Sequence, residues 1–243
     1  VTKDTVTLGI SKLDDVTPRA GIQISEYKKN WKQGLKNKLS NIQNPNIAIN
    51  KSSITLLQFE SLKKGFPNAE WIDFAGQLFS LRLQKTEEEL QIMQKAADIA
   101  DLALKKFVEE YNSDKNQFQT ELDIALFLEE KIRKQGALLS FPTIVASKEN
   151  AAIPHHVTST AKLKQGLLLI DMGARYQGYC SDMTRMFSIG KPTEAELSDF
   201  NLLLKVQGSC IQKAEELATS TKPLGDLDNF AREQLMDKEE AFI

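Results

Sequence analysis

At 243 residues, with 41% hydrophobic and 26% charged side chains, the chain is long enough to bury a substantial core as one large domain or two smaller ones. Its 31 basic and 33 acidic residues leave a net charge of -2, which excludes a global pull toward nucleic acid or an anionic membrane. Two cysteines without CxxC spacing exclude a disulfide framework or zinc knuckle and fit a reduced, cytoplasmic setting, and neither an apolar run of about 18 residues nor a charged-then-apolar leader is present.

Residues 1–83 alternate strand-like runs with helical patterns. Segments 5–10, 46–49 and 71–73 read as strands, 25–39 and 53–64 as helices, and Pro18, Gly21, Pro45, Gly65 and Pro67 punctuate the joints. The pattern predicts a modest α/β unit. Lys28, Lys29, Lys32, Lys36 and Lys38 share the first helix and, lacking interleaved aromatics, read as a solvated face rather than a base-stacking surface.

A second region, 84–243, opens where Thr86 and Glu89 have capping-box spacing. Leu90, Met93, Ala97, Ala100, Leu104, Phe107 and Tyr111 then make one apolar stripe, read as core packing rather than a coiled-coil seam because no further heptads follow. Another helix is expected from Thr120 to a cap at Gly136. A β-rich stretch follows, with a strand at 140–146, a polar loop carrying Pro154-His155-His156, and a hairpin over 167–187. Thr193 and Glu196 then cap a helix with Leu197, Phe200, Leu204, Ile211, Ala214 and Leu217 on its stripe, and a last helix spans 226–236. Helices flanking a mainly antiparallel sheet predict an α+β fold. The chain starts at Val1 and stops at the apolar Ala241-Phe242-Ile243, and both ends read as cut.

The hairpin holds the most informative residues. With its turn centred between Tyr176 and Gln177, Asp171 faces Asp182 across the strands; moving the centre by one residue pairs Asp171 with Thr184 instead. Directly opposed carboxylates repel. A shared proton, Arg175 or Arg185, or a pair of divalent cations would relieve that repulsion. An Asp closing an apolar strand is commonly a turn former, whereas Asp182, read as lying inside the return strand, sits where Asp is depleted. Tyr179, Ser181 and Thr184 are candidates to orient the carboxylates. His155 and His156 are the chain's two histidines, and an imidazole just before the carboxylate hairpin can stabilise an oxyanion or pass a proton. No GxSxG, Walker-type, HExxH or GxGxxG signature occurs.

These residues make the stretch from about 84 to 243 resemble the pita-bread (creatinase/aminopeptidase) metallopeptidases, in the proline-specific branch of aminopeptidase P and Xaa-Pro dipeptidase. The resemblance runs through Lys85-Thr86-Glu87-Glu88-Glu89, Ser140-Phe141-Pro142-Thr143-Ile144-Val145-Ala146, Asn150-Ala151-Ala152-Ile153-Pro154-His155, Asp171-Met172-Gly173-Ala174 and Gly178-Tyr179-Cys180-Ser181-Asp182-Met183-Thr184-Arg185. Residues 1–83 resemble part of the creatinase-type N-terminal α/β domain that precedes this fold. The resemblance implies two divalent metal ions, manganese foremost with cobalt or zinc as alternatives, bound by Asp171 and bridged by Asp182, and it gives His155 a catalytic part. It implies peptides with proline in second position as substrates, cleaved at the X-Pro bond, and a possible homodimer; no nucleic-acid or membrane partner is implied. The family completes its site with a later His and two Glu, but no His follows His156 here. The expectation is therefore an incomplete, inactive portion of an Xaa-Pro aminopeptidase; the alternatives are an Xaa-Pro dipeptidase or a metal-free pita-bread binding module.

Overall fold

The structure is a computed structural model that describes residues 6–10, 22–26, 45–219, 223 and 225–235. Two compact units divide the chain, Val1–Lys85 and Thr86–Ile243.

In the first unit, β1 (Val6–Ile10) pairs in parallel with β2 (Ile22–Glu26), and β3 (Asn46–Ile49) with β4 (Glu70–Asp73). Parallel neighbours need a crossover, and α1 (Leu56–Gly65) supplies the one between β3 and β4. It begins later than residue 53 because the Asn50 carbonyl and side chain hold residues 51–53 in a turn, leaving Thr55 as the N-cap with Gln58 completing the box. β2 takes Ser25 and Glu26, where a helix was expected to begin; the rest of that helix and its lysine face lie outside the described residues. α2 (Ala75–Leu83) has no counterpart among the expected elements, since its N-cap, Phe74, makes no capping side-chain bond and leaves no start signal.

The second unit is built on two helices. α3 (Glu87–Ser113) carries the expected Thr86–Glu89 box and buries Ala96, Ile99, Ala100, Ala103, Leu104 and Phe107, while Leu90 stays exposed. The predicted stripe drifts off this face because alternating steps of three and four track a 3.5-residue period, whereas a straight α-helix turns every 3.6. α4 (Glu121–Lys134) is capped by Thr120 and Asp123 and ends at Gly136, whose φ of 79° gives the expected left-handed stop. Phe107 lies at the aromatic centre of the core, with ring centroids 5.3 Å from Phe118 and 5.7 Å from Phe187.

Two small antiparallel sheets pack with these helices. β7 (Gly166–Met172) lies between β6 (Ile144–Ser147) and β10 (Met183–Ile189), and β8 (Ala174–Tyr176) between β5 (Leu138–Leu139) and β9 (Tyr179–Cys180). The expected strand at 140–146 thus starts only at Ile144. The long hairpin runs through both sheets and changes from one to the other at Gly173. Its turn residues are Gln177 and Gly178, with φ of 47° and 89°, and Tyr176 faces Tyr179. Two successive positive φ values make a primed turn, whose twist matches that of the strands. Asn tolerates the left-handed region better than Gln, so Gln177→Asn should stabilise the fold by about 0.5–1 kcal/mol, read as a raised urea midpoint. An unchanged or lowered midpoint would count against this account of the turn.

α5 (Glu194–Ala218), capped by Thr193 and Glu196, buries Val206 and Leu217 but leaves Leu197, Leu204 and Ile211 of its predicted stripe exposed; α6 (Gly225–Leu235) packs against it. Among the described residues, no helix is long and apolar enough to cross a membrane.

Candidate metal centre

Alternation along β7 decides where Asp171 points. Leu168, Ile170 and Met172 are buried in the core, so Asp171, one residue out of phase, projects from the opposite face. Its cross-strand partner is Thr184, not Asp182, because the turn is centred one residue later than the first of the two registers predicted. Asp182 falls in the break between β9 and β10 rather than inside a strand, so strand depletion of Asp does not bear on it.

That break is held from several sides. Gly173 lies across from it with no room for a side chain: a Cβ there would stand 2.0 Å from the Ser181 carbonyl oxygen and 3.0 Å from Ser140 Cβ. The Ser140 amide donates to the Gly173 carbonyl at 3.0 Å, and its hydroxyl to the Ser181 carbonyl at 2.8 Å. Ser181 Oγ accepts from the Ala174 amide at 3.0 Å and donates to the Ala96 carbonyl of α3 at 3.0 Å. Ser181 therefore anchors the backbone next to Asp182 and does not bond the carboxylates. Tyr179 donates to Glu89 at 2.6 Å. Of the three residues expected to orient the carboxylates, Thr184 does so, its hydroxyl donating to Asp171 Oδ1 at 3.0 Å.

Asp171 and Asp182 still meet despite the shifted register. Burial pushes the Asp171 carboxyl above its usual range; the Thr184 hydroxyl opposes this, Asp182 adds to it through its charge and a shared hydrogen bond, and His155 opposes it. Neither arginine relieves the pair. The Arg185 guanidinium donates to the Thr184 carbonyl at 2.9 Å, and β10 alternation turns its side chain to the other face; Arg175 lies on β8 in the other sheet.

Asp171, Asp182 and His155 line one cavity of about 630 Å³. Glu129 of α4 lines it too, accepting from the Thr143 amide at 3.4 Å, and Leu122, Phe141, Pro142, Ile144 and Val157 make much of the wall apolar. His155 is exposed and left-handed, with φ of 55°, in the turn that directly follows a short 3-10 helix, Lys148–Ala152.

Glu121 is the feature that sequence reasoning missed. It is fully buried at the first position of α4, and its Oε1 accepts from the Ser147 amide (2.9 Å), the Ser147 hydroxyl (3.2 Å) and Asn150 Nδ2 (2.8 Å). Its Oε2 lies 2.9 Å from His156 Nε2. Burial pushes this carboxyl up, but the bonds from Asn150, Ser147 and His156 outweigh burial and hold it below its usual range. Glu at a helix start is so common a complement to the helix dipole that nothing in the sequence marks it as special.

In kind, the donors suit a hard divalent cation: two carboxylates within interaction distance on one cavity wall, Asp171 being disfavoured in its charged form by burial first and by Asp182. In number they fall short, since oxygen-ligated ions take about six donors. Among the described residues, no group of three or more His, Cys, Asp or Glu is arranged to hold a metal.

The sequence profile of Metallopeptidase family M24 matches residues 91–242. A Xaa-Pro dipeptidase of Pyrococcus furiosus is 36% identical over 155 residues, 63% of this chain and 42% of that protein; one of Pyrococcus horikoshii is 33% identical over 184 residues, 75% of this chain and 50% of that protein. The chain thus spans about half the length of the curated relatives it matches. Among solved structures, an X-Pro aminopeptidase from Thermotoga maritima superposes with a TM-score of 0.76 at 28% identity, covering 90% of this chain and 60% of that one. A prolidase from Pyrococcus furiosus superposes with a TM-score of 0.76 at 26% identity, covering 98% and 67%.

Proposed function

Since the chain belongs to metallopeptidase family M24 and has its α+β pita-bread fold, we propose that the Asp171–Asp182 cavity serves metal-dependent hydrolysis of X-Pro peptide bonds, as an Xaa-Pro aminopeptidase. The observation that carries this reading is the meeting of two carboxylates, one with its charged form disfavoured, in a cavity that also contains His155. Asp171 and Asp182 would hold the metal, two ions of manganese foremost in the complete site, with Thr184 fixing the Asp171 carboxylate. The chemistry such a metal supplies when bound is Lewis-acid polarisation of a carbonyl. His155 would donate to the developing oxyanion or carry the proton to the departing proline nitrogen. The apolar wall of Phe141, Pro142, Ile144 and Val157 suits a proline-containing peptide and thins the water around the reacting bond. With this reading go residues 1–83 as a partial creatinase-type domain, a cytoplasmic setting and a homodimer.

Because two carboxylates give a small part of a full coordination shell, this 243-residue chain should bind manganese weakly and leave X-Pro peptides uncleaved. Paramagnetic broadening in an NMR titration with manganese should nevertheless start at Asp171, Asp182 and His155. Broadening that begins at other surface carboxylates would sink the metal site, and robust turnover would overturn the inactivity. The names of the two curated relatives favour a second reading, a dipeptidase. Comparing Xaa-Pro with Xaa-Pro-Yaa peptides as cavity ligands separates the two, since a dipeptidase should favour the free proline carboxylate and an aminopeptidase should accept the longer chain.

A further inference from the structure

We propose that Glu121 is a positioning residue for His155, holding through His156 the loop that turns His155 into the cavity. The inference rests on the peptidase reading of that cavity and assigns a task to a carboxylate outside it. Glu121 is wholly buried, yet each of its oxygens is used, and the two face different parts of the chain. Oε1 gathers the Ser147 amide, the Ser147 hydroxyl and Asn150, the start of the turn after β6. Oε2 meets His156 at 2.9 Å, and the His156 side chain is only 12% exposed. An ionised carboxylate only accepts, so Nε2 carries the proton and the ring is held in one orientation.

His155 is the next residue back along the chain. Its φ of 55° is uncommon for a residue that carries a β-carbon, although His adopts it more readily than most. The His156 amide closes a turn on the Ile153 carbonyl at 3.1 Å, and the His156 ring is clamped to α4 through Glu121. His155 is therefore fixed at the tip of a turn tied down immediately after it, with its exposed ring beside Asp171. Without the clamp, the left-handed residue has little to hold it and should relax. Among the described residues, no Lys or Arg is bonded to Glu121.

Glu121→Gln separates the two uses. The amide oxygen can keep all three bonds at the Ser147–Asn150 side, while the amide nitrogen, now a donor, faces His156 and forces the proton from Nε2 to Nδ1. His156→Leu removes the clamp from the other end and leaves Oε1 untouched. Imidazole nitrogen shifts should therefore show an Nε2-protonated His156 in the native chain and an Nδ1-protonated ring in Glu121→Gln. In His156→Leu, which has no ring nitrogen to bond, amide exchange at 153–158 should speed up by about tenfold or more, and in Glu121→Gln, where a neutral bond replaces the charge-assisted one, by a smaller factor, with Ser147 and Asn150 within about twofold of native in both. A merely structural Glu121 would leave exchange at 153–158 unchanged in Glu121→Gln. Unchanged exchange there in both variants overturns the proposal. Ala-Pro binding to the cavity should weaken in Glu121→Gln, whose substituted side chain does not line the cavity, whereas His156 does. A native chain that fails to bind Ala-Pro removes the peptide reading, while the exchange result, which needs neither metal nor peptide, still decides whether Glu121 sets the His155 loop.

Discussion

Gly173→Ala should destabilise the second unit by about 3 kcal/mol or more, well beyond a typical surface substitution. The new Cβ would stand 2.0 Å from the Ser181 carbonyl oxygen, far inside van der Waals contact, and 3.0 Å from Ser140 Cβ. Both obstacles are fixed. The Ser181 carbonyl is backbone, held by the Ser140 hydroxyl at 2.8 Å, and Ser181 itself is bonded to Ala174 and to α3 through the Ala96 carbonyl. Relief must come from moving the bend between β9 and β10, which carries Asp182. The variant should thus lose stability and pull the two carboxylates apart, and urea denaturation with manganese titration would read both effects. Gly208→Ala is the control: a Cβ there meets nothing within 4 Å in the helix α5, so stability should rise by about 0.5–1 kcal/mol. A Gly173→Ala midpoint close to native would mean that the bend yields easily and does not hold the pair together.

Asp171→Asn should have opposite effects on stability and on metal binding. Burial, with the charge of Asp182 adding to it, raises the folded-state pKa of Asp171 above its ordinary value of 3.8. The sign follows from linkage. A raised folded pKa gives stability that is fully present below the unfolded value and lost as pH rises from there through the folded value, so at neutral pH an ionised Asp171 is a burden. Asn can still accept from Thr184 and carries no charge. Its melting temperature should therefore exceed the native one at pH 7, with the gap closing as pH falls toward 3.8. If Asp171 ligates as proposed, any stabilisation by manganese should be lost, because removing a ligating carboxylate costs more than the roughly 10–100-fold of altering a neighbour. A variant less stable than native at pH 7 would show that Asp171 is not repelled, and one that keeps the manganese response would show that it is not a ligand.

Helix starts were the most legible part of the fold. Thr86 and Thr193 cap as expected, because a capping box is written within four consecutive residues, and the helix expected to start at Thr120 proves to have a box of its own with Asp123. β2 and α2 were less legible, since neither carries a local signal strong enough to mark it. The exposed residues of the predicted α5 stripe show the limit of periodicity: it identifies an apolar face but not what that face meets.

By itself the sequence determined the family, the strand that carries Asp171, and the loop that carries His155, because motif order and short-range patterning are properties of consecutive residues. Only the tertiary structure decided how the acids meet. Gln177 and Gly178 set the turn and so pair Asp171 with Thr184, while the Gly173–Ser181 crossing brings Asp182 back to Asp171 from a break between strands. It also singled out Glu121, an ordinary helix-start acid whose burial and four bonds arise from residues 26 to 35 positions away. Contacts between segments far apart in sequence depend on how helices and sheets pack, and no local pattern encodes that packing.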